Sequence, residues 1–317
     1  MSLVAPRVGA EAVSARSTPA IHTSELAKRF GRTVALAGLS MSVPTGTAFG
    51  FLGPNGAGKT TAVKLLLGLL TPTSGDGLVL GAPLGDRETR RRIGYLPELF
   101  RYQAWLTAEE VMRLHCELAA LPRATWRDES RFALETVGLA DRARDRVGNF
   151  SKGMQQRLGL GVALLGRPEL VFLDEPTSAL DPVGRHDVRE IIRGLRGTGT
   201  TVFLNSHLLN EVEQTCDRVA ILDKGRVIAV GTLDELLGGS SVRLRVTGVG
   251  ATGRNALGDF GTVDDEGEWI TIRGVDAERV PEIVSRLVEI GARVHAVEPR
   301  RLSLEDRFLE LLHEETG

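Results

Sequence analysis

The 317-residue sequence predicts an α/β fold built on a parallel sheet, and three stretches carry that reading. The first is Gly53-Pro54-Asn55-Gly56-Ala57-Gly58-Lys59-Thr60-Thr61, which fits G-x-x-x-x-G-K-[ST]. The second is Leu170-Val171-Phe172-Leu173, four apolar residues that suit a central parallel strand and run into Asp174-Glu175. The third is a pair of further strand patterns, Thr201 to Leu204 and Val219 to Leu222, separated by helical segments. Alternating β and α elements put helices on the faces of a parallel sheet.

The first motif has the flanks that its chemistry requires. Thr47 to Leu52 are small and apolar and suit a buried strand, and Ala62 to Leu70 suit a helix with Val63, Leu66, Leu67 and Leu70 on one face. The glycines let the backbone curl until successive N–H groups point inward at phosphate oxygens. The helix N-terminus adds partial positive charge. Lys59 can reach the β- and γ-phosphates, and the Thr60 hydroxyl can ligate Mg²⁺. The stretch reads as a phosphate-binding P-loop and hence a nucleotide site.

Composition narrows the remaining classes. The length allows one large domain and a smaller one. A net charge of −2 argues against a strongly basic nucleic-acid surface. The two cysteines, Cys116 and Cys216, form no C-x-x-C and suit a reducing compartment, with a single disulfide as the alternative. No apolar run approaches the roughly 18 residues of a membrane span. Met1 to Ala20 lacks the apolar segment of a secretory signal and reads as a flexible tail over 1–20. A soluble, cytosolic chain is expected.

Between these landmarks the pattern is easily divided. Ile21 to Leu52 reads as short strands with turns, Leu39, Met41 and Val43 alternating with Ser40 and Ser42. Pro72 to Gly77 is a dense turn cluster before a short strand, Leu78 to Leu80, and Arg87 to Arg92 reads as a solvated helix face. Thr107 and Glu110 make a capping box for a helix ended by Pro122, and a second helix is expected over Asp128 to Val137. Gly238-Gly239-Ser240-Ser241 marks a change of character. The segment 21–238 is therefore read as one domain and 242–317 as a small C-terminal α+β domain. In the latter, strands are expected at Val242 to Val246, Trp269 to Arg273 and Arg293 to Val297. A last helix starts at Ser303, with Leu304, Phe308, Leu311 and Leu312 inward.

The chemistry gathers on few residues. A strand parallel to the P-loop strand would deliver Asp174 and Glu175 to the sheet edge where ligands bind. Asp174 would hold Mg²⁺ through its water shell, and Glu175 could orient or deprotonate an attacking water. Upstream, Phe150-Ser151-Lys152-Gly153-Met154-Gln155-Gln156-Arg157 opens a helix with Ser151 as N-cap, and Gly153 lets an N–H approach an anion closely.

The order of P-loop, Ser-Lys-Gly-Met-Gln-Gln, Leu-Asp-Glu-Pro-Thr-Ser-Ala-Leu-Asp and Asn205-Ser206-His207 resembles the ATP-binding cassette of an ABC transporter over about Ile21 to Leu237. The family signature is usually Leu-Ser-Gly-Gly-Gln, so Phe150, Lys152 and Met154 depart from it while Ser151 and Gly153 are kept. This variant resembles the exporter-type ABC-2 branch, which works with separate membrane subunits. The resemblance implies a P-loop NTPase (RecA-like) core with an antiparallel β subdomain and a helical subdomain. It implies ATP and Mg²⁺ as cofactors, and a head-to-tail dimer in which Ser151 and Gly153 touch the γ-phosphate bound by the other copy. It further implies that Asp181 communicates across that interface and His207 contacts the γ-phosphate and the catalytic water. Phe30 would stack on adenine, a core phenylalanine being the alternative.

One implied position is unusual. The family's Mg²⁺-sensing glutamine falls at Glu98, where a carboxylate adds negative charge beside the triphosphate unless the metal lies between them. Leu99 to Leu106, with Phe100, Tyr102 and Trp105, would form the groove for an integral membrane permease subunit, or else be buried in the subdomain. The expected function is an ATPase subunit driving export, peripheral on the inner face of the cell membrane. The alternative is a non-transport ABC ATPase of translation or DNA maintenance. The single cassette, the lack of a heptad insertion and the lack of a basic stripe disfavour it, and no nucleic-acid partner is expected. The C-terminal domain is expected to be a dimerisation or regulatory unit, or a structural buttress.

Overall fold

The computed structural model describes residues 18–178, 180–237, 240–275, 277–301 and 303–314. Most of the expected tail over 1–20, and Gly238 and Gly239 at the expected boundary, lie outside the described residues.

The chain opens with β1 (Ile21–Phe30), β2 (Thr33–Val43) and β3 (Ala48–Leu52), then α1 (Lys59–Leu66). Next come β4 (Ser74–Val79), β5 (Ala82–Pro83), α2 (Arg87–Arg90) and β6 (Ile93–Leu96). A helical stretch follows, with α3 (Ala108–Leu118), α4 (Trp126–Thr136) and α5 (Lys152–Ala163). Strands then alternate with helices through β7 (Leu170–Asp174), α6 (Pro182–Gly197), β8 (Thr201–Asn205) and α7 (Leu209–Thr215). They continue as β9 (Arg218–Asp223), β10 (Arg226–Thr232) and α8 (Leu233–Leu237).

These strands form one ten-stranded sheet in the order β5-β4-β1-β2-β10-β9-β3-β8-β7-β6. Its β9-β3-β8-β7-β6 half is parallel throughout, while β1 pairs antiparallel with both β2 and β4. Strands β3, β7 and β8 are buried along their whole length. Their side chains alternate between two cores, as a period of two demands. Phe49, Phe51, Phe172 and Phe203 share one face with Ala62, Val63, Leu65 and Leu66 of α1. Phe203 sits at the centre, its ring 5.1–5.8 Å from the other three. Leu52, Val171, Leu173, Val202 and Leu204 face the other way, toward α5, α6 and α7.

Local chemistry sets the ends of several elements. The Thr107–Glu110 capping box forms in both directions, with Thr107 N–H donating to Glu110 Oε2 at 2.8 Å and Glu110 N–H to Thr107 Oγ1 at 3.2 Å. Helix α1 stops four residues short of the expected Leu70. Gly68, at φ +65°, donates to the Leu65 carbonyl and Leu69 donates to Lys64, a Schellman ending. The expected turn cluster Pro72 to Gly77 is largely strand β4 instead. Gly75 there lies so close to β1 that a Cβ would be 2.1 Å from the Glu25 carbonyl oxygen, so its glycine serves strand approach. Both cysteines are free and buried, so the disulfide alternative does not occur.

The C-terminal part has its own sheet: β11 (Ser240–Thr247), α9 (Ala251–Gly258), β12 (Thr262–Glu266), β13 (Trp269–Arg273), α10 (Val280–Glu289) and β14 (Arg293–Arg301). The order β12-β13-β11-β14, all antiparallel neighbours, is a split βαβ arrangement. It has a separate core of Val242, Leu244, Ile270, Ile272, Ile283 and Leu287. The last helix, α11 (Leu304–Glu314), leaves that core. Leu304 and Leu311 join the core of the large sheet, and Leu304 N–H donates to Glu213 Oε2 of α7 at 3.0 Å.

Candidate functional site

Three segments reach the same edge of the sheet because their strands are parallel neighbours. The Gly53–Thr61 loop follows β3, Ser206-His207 follow β8, and Asp174-Glu175 close β7. The register fixes them at one level, with Phe51 opposite Asn205 and Asn205 opposite Asp174.

The loop itself is closely walled. Gly53, Gly56 and Gly58 take positive φ values of 159°, 82° and 104°. A Cβ on Gly58 would meet the Ala35 carbonyl oxygen at 2.3 Å. The β9–β10 turn, which lies against the same Ala35–Ala37 stretch, also holds the loop, Gly225 N–H donating to the Ala57 carbonyl at 2.9 Å. Helix α1 begins at Lys59 with no side-chain cap, so the amides of its first turn have no intrahelical or capping acceptor. Such amides make an anion site. Thr60 is exposed at that turn, as is Asn55 in the loop, and Pro54 and Thr61 are half-buried. The Lys59 ammonium is buried and donates to the carbonyls of Gly53 at 2.6 Å and Pro54 at 3.2 Å. Burial lowers its pKa, opposed by the charges of Glu175, Asp174 and Glu98.

The carboxylates form the opposite wall. Asp174 is buried, and Asn205 Nδ2 donates to its Oδ1. Burial raises the Asp174 pKa; Asn205 opposes the shift, and Glu98 and Glu175 add to it. Glu175 has φ +52°, unusual for a residue with a side chain. Its backbone N–H donates to the Asn205 carbonyl at 2.9 Å. Its Oε1 accepts from the His207 backbone N–H at 2.9 Å and lies 2.8 Å from His207 Nδ1. Glu175 Oε2 is buried and has no partner among the described residues. Buried polar atoms are rarely left so.

The arrangement fits a phosphate chain and a hard divalent cation. Three carboxylates act on one buried lysine, and a carboxylate oxygen is left without a donor. Among the described residues no three His, Cys, Asp or Glu side chains form a metal cluster of their own. Any cation here would therefore share phosphate oxygens and water with Thr60 and Asp174, the habit of Mg²⁺.

Other residues singled out in the sequence stand elsewhere. Phe30 ends β1 and is 48% exposed, with the Lys28 ammonium 5.2 Å from its ring centroid, so it is not a core phenylalanine. Its hairpin partner is Thr33, two residues before the Ala35 carbonyl that touches Gly58. Ser151 caps α5 by accepting from Met154 N–H at 3.2 Å, and Asp181 caps α6 by accepting from Gly184 N–H at 2.7 Å. Ser151, Gly153 and Asp181 line a cleft of about 370 Å³ that contains neither P-loop nor Asp174-Glu175 residues. Glu98 is exposed but near enough to Asp174, Lys59 and Tyr95 for its charge to be felt. Leu99 and Trp105 are 87% and 70% exposed, whereas Phe100, Tyr102 and Leu106 pack on the core.

Sequence reasoning missed the part played by Asn205, which ties Asp174 to Glu175. Its only signal was a polar residue ending an apolar strand that neighbours β7.

The comparisons with known proteins agree with this architecture. Residues 36–178 match the family described as ABC transporter. An uncharacterised ABC transporter ATP-binding protein of Nostoc is 39% identical, covering 96% of this chain and 93% of its own length. The daunorubicin/doxorubicin resistance ATP-binding protein of Streptomyces peucetius is 40% identical over 74% of this chain and 72% of its own. A solved ATP-binding subunit of an ABC transporter superposes with a TM-score of 0.61 at 32% identity, covering 68% of this chain and 91% of the other.

Proposed function

The chain belongs to the ATP-binding proteins of ABC transporters, a transport ATPase family, and from that premise we propose how its own residues work. The observation that carries the reading is the divided carboxylate of Glu175: Oε1 is taken up by His207, and Oε2 is buried with no donor.

The P-loop amides and Lys59 hold the ATP phosphates, and Phe30 receives the adenine. A water accepted by Glu175 Oε2 is aligned on the γ-phosphorus and made more nucleophilic as its proton passes to the carboxylate. The new P–O bond forms as the bond to the β–γ bridging oxygen breaks, and ADP and inorganic phosphate leave. His207 keeps Glu175 turned toward the water and faces the γ-phosphate. Thr60 and Asp174, with Glu98 nearby, would hold Mg²⁺, which neutralises charge on the β- and γ-phosphate oxygens.

Ser151, Gly153 and Asp181 serve a second nucleotide, the one bound by another copy of the chain. Their separate cleft supports this reading, since a site completed in trans needs its two halves apart. The resistance relative supports export; separate membrane permease subunits would be the partners in it, and the inner face of the membrane the place of work. No helix among the described residues is long and apolar enough to cross a membrane by itself. The exposed Leu99 and Trp105 supply an apolar surface for that contact.

The test is Glu175→Gln. Turnover is expected to fall by about 10²–10⁴-fold, the range for loss of a general base. Light scattering with saturating Mg-ATP should then report a stable dimer. A monomer under those conditions would sink the sandwich, and near-normal turnover would remove Glu175 from the chemistry.

A further inference from the structure

A second concave surface lies in the helical part of the chain, outside everything assigned above. A cleft of about 570 Å³ opens between α3, α4 and the segment after α4. That volume is in the range of small-molecule sites. Its floor is apolar: Leu134 is buried, and Trp126 is half-buried and fixed by an Nε1–H bond to the Leu121 carbonyl at 2.8 Å.

Its walls carry five arginines, Arg113, Arg123, Arg127, Arg131 and Arg144, against one lining carboxylate, Glu109. Arg113 meets Glu109 at 3.5 Å, and Arg131 meets Asp128 at 3.3 Å. Both pairs are exposed and hence weak, so either guanidinium can be redirected at little cost. Arg123 lies over the Trp126 ring at 5.5 Å. Arg123, Arg127 and Arg144 have no carboxylate partner among the described residues. Converging like charges repel one another, and their attraction to a shared anion offsets that repulsion.

We propose that this cleft binds a small phosphorylated ligand, its phosphate among Arg123, Arg127 and Arg144 and its less polar part on Trp126. Guanidinium forks match phosphate oxygens in bidentate fashion, and a phosphate monoester carries enough charge for more than one of them. The same chemistry has two sources, a soluble phosphate ester and the headgroup of an acidic phospholipid.

Isothermal titration of the full chain, with saturating Mg-ADP to occupy the P-loop, separates them. The probes are glycerol 3-phosphate and dihexanoyl phosphatidic acid, with dihexanoyl phosphatidylcholine as the neutral control. Saturable binding of a phosphate monoester is expected, weakened about tenfold or more in Arg127→Ala/Arg144→Ala, since charge-assisted hydrogen bonds are lost. Binding of both probes with similar strength assigns a soluble ester. A strong preference for phosphatidic acid, repeated on phosphatidylcholine vesicles doped with it, assigns the lipid. Both residues are exposed, so the variant should fold and keep its ATPase activity. The proposal is overturned if neither phosphate probe binds, or if the double variant binds as the parent does.

Discussion

At Asp174, burial and neighbouring negative charge act in the same direction. Both raise its pKa, and only Asn205 and the more distant Lys59 oppose them. A carboxylate whose folded pKa is raised holds its proton more tightly in the folded chain than in the unfolded one. Its contribution to stability is therefore lost as pH rises from the ordinary carboxylate range through the raised value. Above that value the metal-free protein carries the penalty in full. Asp174→Asn removes the charge and keeps an acceptor for Asn205. In EDTA at pH 7 its Tm should lie about 2–4 °C above the parent's, as ~1 kcal/mol gives in a domain of this size. The gap should close on acidification toward pH 4, while ATPase activity is lost at all pH values. A lower Tm at pH 7 would mean that the Asp174 charge is already compensated. The identity of Asp174 was legible in the sequence, because an apolar strand ending in two carboxylates downstream of a P-loop has few readings. The Asn205 bond was not, because register between β7 and β8 depends on packing across the sheet, and no spacing along the chain encodes it.

Elements that the sequence patterns specified well are those whose signals are local: the α3 capping box and the apolar run of β7, whereas the helix expected over Ala62 to Leu70 runs from Lys59 to Leu66. Those missed depend on partners far along the chain. The Ser74 to Gly77 part of β4 reads as turn residues, only Leu78 and Val79 being expected as strand, and it is drawn into the sheet by pairing with β1. Strand β12 carries Asp264, Asp265 and Glu266 and escapes any apolar pattern, as an edge strand can. Gly50 shows the same dependence. It lies in the buried β3, where helix α7 presses so close that a Cβ would stand 2.5 Å from Val212 Cγ1 and 3.3 Å from Cys216 Sγ. Valine has no flexible end to move away. Gly50→Ala should therefore cost about 1–3 kcal/mol in urea denaturation, the usual range for overpacking. Adding Val212→Ala should return part of it, and purely additive losses would show that α7 does not rest on Gly50. Because α7 starts two residues after His207, the same variant should also slow turnover.

Helix α11 bridges the two sheets. The split βαβ unit keeps its own apolar core, which shares no residue with the cores of the large sheet. Helix α11 crosses over, burying Leu304 and Leu311 against the large sheet's helices and bonding to Glu213 on α7. The sequence showed which face of α11 is apolar but not what that face covers, since an amphipathic pattern names no partner. This placement predicts an inequality between two truncations. Ending the chain before Ser303 removes only α11, and should lower the Tm of the ATP-binding part because the large sheet's core loses two buried leucines, worth about 1.5–3 kcal/mol each. Ending it at Leu237 removes the second sheet as well, yet should lower that Tm by nearly the same amount. Leu304→Asp/Leu311→Asp in the full chain should reproduce the loss while leaving the second sheet folded. If the longer truncation proved much the more damaging, the second sheet itself would be a support of the ATP-binding part. If neither truncation moved the Tm, α11 would be free of it in solution. Because α11 rests on the helix that follows His207, ATP turnover should fall with the α11 truncation by more than the fraction unfolded accounts for, and a proportional fall would reduce α11 to a buttress.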